Sequence, residues 1–147
     1  MQLEGHKTIP STPDRVYGLL TDPEVLVRTM PGLKRMTPTG DGRYDAEMEM
    51  GVAAIRGRYE GWMTIEDAVL GQSYRLRMEG QGPGGFVAVD MAVTLSPTDE
   101  GTDLRYVGQA KVGGTVAGVG QRMLSGVASF IMGQFFGAVA KEARQQP

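Results

Sequence analysis

Two stretches, Tyr44-Asp45-Ala46-Glu47-Met48-Glu49-Met50 and Gly57-Arg58-Tyr59-Glu60-Gly61-Trp62-Met63, decide how this chain is read. In each, apolar or small residues alternate with charged ones at a period of two, which is the pattern of a strand with one face buried and one wet. Paired as a hairpin, they oppose Tyr44, Ala46, Met48, Met50 and Val52 to Met63, Gly61, Tyr59, Gly57 and Ile55. Asp45, Glu47, Arg56, Arg58 and Glu60 then all point the other way, so one register satisfies both strands at once. The turn would fall at Ala53-Ala54, a poor pair for a two-residue hairpin, so a bulge is expected there.

Downstream the same parity continues. Tyr74, Leu76, Met78 and Gly80 extend the apolar face, followed by Val87, Val89, Met91, Val93 and Leu95, and then by Leu104, Tyr106, Gly108, Ala110 and Val112. Turn residues recur at Gly40-Asp41-Gly42, near Gly71, at Gly82-Pro83-Gly84-Gly85 and at Thr98-Asp99-Glu100-Gly101, giving a six-strand meander from Leu33 onward. Upstream, Leu3 to Ile9 reads as a first strand. Ser11-Thr12-Pro13-Asp14 and Asp22-Pro23-Glu24 each place a capping side chain before a proline, the signal for two short helices, the second stopped by Pro31-Gly32.

After Gly113-Gly114 the period changes to that of a helix. Thr115 is expected to cap one helix of roughly 30 residues running to about Arg144. At 100° per residue its apolar stripe holds Val116, Val119, Gly120, Met123, Leu124, Val127, Phe130, Ile131, Gln134, Phe135 and Ala138, and this stripe is expected to lie across the apolar face of the sheet. Met132 and Phe136 would then fall on the back, as a patch for a second copy, another partner or a membrane surface. The fold class is therefore α+β: a seven-stranded antiparallel sheet wrapped around a long C-terminal helix, with two short helices after the first strand, in one domain over 1–147.

Composition narrows the chemistry. The chain has 147 residues, 41% apolar and 22% charged, with 15 Lys and Arg against 17 Asp and Glu, so nothing draws it to a phosphate backbone and no nucleic-acid partner is expected. It has no Cys and one His, which excludes disulfides, Cys/His zinc sites, thiol nucleophiles and any mechanism needing two histidines. Asp90, Glu47 and Glu49 have the outward parity, so no catalytic residue, metal site or required cofactor is expected, and His6 reads as solvated or structural. The N-terminus lacks the apolar segment of a secretory signal, and the expected location is cytoplasmic. Residues 123–140 carry no charge between Arg122 and Lys141, and Gly133 and Gly137 have the small-xxx-small spacing. The apolar sheet face needs a cover, however, which favours a core helix over a span.

Twenty-two Gly and ten Met stand out. A sheet and a helix facing each other with Gly, Ala and Met would underfill a solid interior, and voids are costly. Gly57, Gly61, Gly80 and Gly108 on the inner face are read as leaving space for an apolar guest. Methionine, flexible and polarizable, suits such a surface. The candidate ligand-binding set is Met48, Met50, Tyr59, Gly61, Met63, Met78, Met91, Tyr106, Met123, Val127, Phe130 and Gln134, with Gln134, Tyr59 and Tyr106 as partners for a carbonyl or hydroxyl.

Leu3-Glu4-Gly5, Thr21-Asp22-Pro23-Glu24-Val25-Leu26, Met30-Pro31-Gly32-Leu33, Gly57-Arg58-Tyr59-Glu60-Gly61, and Gly101-Thr102-Asp103-Leu104-Arg105-Tyr106 through Val112-Gly113-Gly114 carry a resemblance over nearly the whole chain. The chain resembles the carbon monoxide dehydrogenase CoxG family, of the START-like (SRPBCC) helix-grip superfamily. That resemblance implies a non-catalytic accessory to a molybdenum-containing carbon monoxide dehydrogenase-like enzyme. It also implies peripheral contact with the inner face of the cytoplasmic membrane and a hydrophobic ligand, a lipid or quinone, in the cavity between sheet and helix. A docking adaptor without ligand, or a small cyclase or hydratase on the same fold, are the alternative functions.

Overall fold

The computed structural model describes residues 1–51 and 55–145. Strand β1 (Gln2–Ile9) is followed by helices α1 (Pro13–Thr21) and α2 (Pro23–Thr29). A meander follows of β2 (Leu33–Gly40), β3 (Arg43–Met50), β4 (Gly57–Val69), β5 (Ser73–Gly82), β6 (Gly85–Thr98) and β7 (Gly101–Gly113). A 3₁₀ segment, Gly114–Val119, leads into α3 (Gln121–Gln145). All seven strands form one sheet in the order β1-β7-β6-β5-β4-β3-β2, every pair antiparallel, so β1 returns to close on the last strand.

The parity argument holds at each pair. Tyr44 faces Met63, Met48 faces Tyr59, Met63 faces Met78, Met78 faces Val89, and Val93 faces Tyr106. The expected Ala53-Ala54 turn and Val52 lie outside the described residues. The β2–β3 turn is Asp41-Gly42 with φ of 36° and 75°, the doubly left-handed pair that matches the twist of a two-residue hairpin. Both short helices start as the sequence indicates: the Thr12 side chain accepts from the Arg15 N–H at 3.3 Å and Asp22 Oδ1 from the Glu24 N–H at 2.9 Å.

The core sits at one end of the sheet. Val16 and Leu20 of α1, Leu26 of α2 and Phe135, Phe136, Val139, Ala140 and Ala143 of α3 pack on Ile9, Met63, Tyr74, Met91, Val93, Leu95 and Leu104. Thr102, fully buried there, donates its hydroxyl to the Ser11 carbonyl at 2.7 Å, so this polar side chain at the α1 entry is satisfied.

The C-terminal segment departs from expectation. Thr115 does not cap the long helix; its hydroxyl donates to the Gly84 carbonyl at 3.0 Å and helps tie the 3₁₀ segment to the β5–β6 turn. Gly120, at φ 96° and ψ 151°, breaks the chain before α3 begins, so Gly118 and Gly120 lie outside the helix. A stripe phased from Val116 as though the helix were continuous therefore loses its register. The buried arc of α3 runs through Met132, Phe135, Phe136, Val139, Ala140 and Ala143, about 140° round the helix from the expected arc at 3.6 residues per turn.

Candidate functional site

That rotation changes which side chains are covered. Met123, Phe130 and Gln134, expected against the sheet, are exposed, the first two at 51% and 58%. Val127 is half-buried, as are Leu124 and Ile131. Phe136, expected on the back of the helix, is buried and stacks on Tyr106 at 5.3 Å between ring centres, and Met132 packs on the core beside it. The back-of-helix patch of Met132 and Phe136 is therefore corrected to core. Apolar exposure instead falls on Met123 and Phe130.

The inner face of the sheet divides in two. At its core end, Met63 and Met91 are buried under α3 and the two short helices. At its other end, Met48, Met50, Met78, Gly80, Val87 and Val89 are only half-covered, because the first half of α3 does not close on them. Only 22% of the most apolar 18-residue window of α3 is buried. The helix is long and apolar enough to cross a membrane by length and composition alone. The result is an apolar face left open on both sheet and helix, in place of the enclosed cavity that the composition suggests.

The inner-face glycines do not all make room. A Cβ on Gly61 would overlap the Glu79 carbonyl oxygen, and one on Gly108 would overlap that of Asp90. These two glycines permit close backbone approach, so Gly61 is not a ligand-lining position. Gly57 stands at φ 139° with Pro83 3.0 Å from its Cβ direction, again a backbone requirement. Gly80 alone of the four has ordinary space, its nearest neighbour being Tyr59 Cβ at 3.9 Å.

Two tyrosines supply polarity. Tyr59 is 8% exposed, and its hydroxyl is buried without a hydrogen-bond partner among the described residues. It lies beside the Gly82 and Gly84 turn and Val116, 3.2 Å from where a Gly84 Cβ would stand. Tyr106 crosses the inner side of β1: a Cβ on Gly5 would lie 2.5 Å from its hydroxyl. Burial raises the pKa of both phenols, so each remains a protonated donor and is ill-suited as a base.

A pocket of about 190 Å³ opens between β1, β7 and α3, where Tyr106, Met132 and Phe136 meet Lys7, Ser129 and Gly133. Of the sequence-derived candidates only Tyr106 belongs to it. Sequence reasoning misses Lys7, although the signal is present: it is a charge at inward parity on β1, opposite the fully buried Leu104. On the outer face the charges pair as expected of a solvated surface. Glu47 lies 3.1 Å from Arg58 and 3.7 Å from Arg35, Glu66 lies 3.8 Å from Arg77, and Asp90 pairs with Arg75. Arg75 holds the Asp90 carboxyl below the usual range.

The family model for the carbon monoxide dehydrogenase protein CoxG matches residues 5–144. Among solved structures, a conserved protein from Geobacillus kaustophilus is 34% identical, with 99% of this chain and 96% of that chain covered and a TM-score of 0.95. A protein from Chromobacterium violaceum is 18% identical over 97% of this chain and 96% of that one, with a TM-score of 0.75. The Zhui aromatase/cyclase from Streptomyces sp. R1128 is 16% identical over 99% and 94%, with a TM-score of 0.71. The last two likenesses concern the fold alone. No curated protein matches the chain.

Proposed function

The chain belongs to the carbon monoxide dehydrogenase CoxG family, and from that premise we propose that it is a non-catalytic accessory protein that carries an apolar lipid or quinone for a molybdenum-containing dehydrogenase. The observation that carries this reading is the open apolar face. Met48, Met50, Met78, Val87 and Val89 on the sheet and Leu124, Val127 and Ile131 on the helix are half-covered, an arrangement that a hydrocarbon guest would complete. The exposed Met123 and Phe130 would serve contact with the cytoplasmic membrane from which such a guest comes, or with the dehydrogenase that receives it.

An enzyme of the cyclase kind needs a base, and the two tyrosines near the face are pushed the wrong way for that role. Hydrogen-bond donation to a guest is the chemistry left to them.

The test is to purify the protein from cells, extract it with organic solvent and identify co-purifying lipids or quinones by mass spectrometry. Gly80→Phe fills the open face without meeting backbone, so it should abolish carriage. Gln134→Leu changes an exposed side chain and should leave carriage intact. An empty extract together with no uptake of added quinone or lipid would overturn carriage and leave a docking adaptor as the reading.

A further inference from the structure

The 190 Å³ pocket at the β1 edge differs in character from the rest of the open face. Its floor is apolar, made by Phe136, Met132 and the Tyr106 ring stacked on Phe136. Its wall is not: Lys7 and His6 stand on one side and the Ser129 hydroxyl on the other, and no acidic residue lines it. Lys7 makes no ion pair among the described residues. An apolar floor beside an uncompensated ammonium and two hydroxyl donors is complementary to an amphiphile with one negative charge.

An inward-facing lysine on an edge strand has an ordinary purpose, since it discourages pairing with another sheet edge. That purpose accounts for the charge alone. It does not account for an aromatic floor and two hydroxyls converging on the same pocket, nor for Gly133 in the wall, where an added Cβ would meet nothing within 4 Å.

We propose that this pocket binds the end of a carboxylate-terminated aliphatic chain, with the carboxylate at Lys7, Ser129 and the Tyr106 hydroxyl and the first methylenes on Phe136 and Met132. One ammonium and two neutral donors suit a monoanion; a phosphate dianion would leave charge unmatched. The inference rests on the apolar-ligand reading above and specifies the chemistry of one end of that ligand. Burial of Tyr106 keeps its phenol protonated and able to donate.

The experiment is an NMR titration of the full chain with octanoate, 1-octanol and octylammonium at neutral pH. Binding is followed at the amides of Lys7, Ser129 and Gly133 and at the methionine methyls. Octanoate should bind about fivefold more tightly than 1-octanol, as a partly exposed charge pair allows, with the preference shrinking in high salt. Octylammonium should bind more weakly than either. Lys7→Gln should erase the octanoate preference while leaving 1-octanol binding unchanged, and Gly133→Leu should weaken both by filling the pocket. Equal affinity for octanoate and 1-octanol in the native protein, or a preference that survives Lys7→Gln, overturns the inference. If 1-octanol then still shifts the methyls of Met48 and Met78, the apolar-ligand reading stands without it. No response to any of the three probes overturns both.

Discussion

At the scale of single residues, Tyr59 is the clearest departure from a stability optimum. A hydroxyl buried without a partner costs about 1–3 kcal/mol of lost hydration, and nothing among the described residues offsets that. Tyr59→Phe should therefore raise stability by about 1 kcal/mol in urea unfolding; a loss of stability would mean that the hydroxyl is bonded. Parity alone places this side chain inside, because a strand residue can face only two ways. Glycines are harder to read, since the letter is the same whatever it permits. Gly61 and Gly80 oppose each other in adjacent strands, yet a Cβ at the first collides with a carbonyl and at the second meets ordinary space. Gly61→Ala should disrupt the β4–β5 pairing and lower the urea midpoint clearly. Gly80→Ala should shift it little. Equal effects of the two would contradict this assignment.

At the scale of elements, the strands are legible in the sequence and the last helix only partly so. Every strand pair is constrained twice, by the parity of its apolar residues and by the chemistry of its turn, and the observed registers agree with the parity. The helix has one constraint, its period, and a period says nothing of phase once Gly120 interrupts it. That is why periodicity alone assigns Met123, Phe130 and Gln134 to the interior and Phe136 to the exterior. The glycines inside α3 take a different meaning from the close packing that their number suggests. Gly126 and Gly137 have open space at their Cβ positions, so close packing does not explain them. Gly126→Ala and Gly137→Ala should each stabilise the protein by about 0.5–1 kcal/mol through helix propensity. Gly120→Ala should do the reverse, by about 1–3 kcal/mol, because φ 96° with ψ 151° is a conformation available to glycine and strained for alanine. Chemical denaturation of the three variants checks both signs, and a stabilising Gly120→Ala would show that the break is not needed.

At the scale of the whole molecule, both ends of the chain are tied back. The N-terminal ammonium donates to the Ala110 carbonyl at 2.9 Å, where β1 closes on β7. The end of α3 is clasped to α2 by Arg28, whose Nε and Nη2 donate to Glu142 at 2.9 and 2.8 Å; among the described residues this is the one ion pair joining α3 to the rest of the fold. The clasp matters because α3 is well covered only at this end, so its fixed half positions the half that stands over the open face. Hydrogen bonding from Arg28 holds the Glu142 carboxyl below the usual glutamate range, while partial burial opposes it. A carboxyl with a lowered folded-state pKa contributes stability that is fully present above its unfolded value. That contribution is lost as pH falls through the folded value. The native protein should therefore exceed Arg28→Gln in urea midpoint at pH 7, and the gap should narrow as pH falls from about 4.5, the range in which unfolded glutamates take up protons. A gap that stays constant down to about pH 3, below the unfolded glutamate value, would mean that Arg28 acts through packing rather than charge. Where the gap closes, amide exchange in the last turns of α3, corrected for the intrinsic pH dependence, should quicken before that of the strands, since acid releases the helix while leaving the sheet ladder intact.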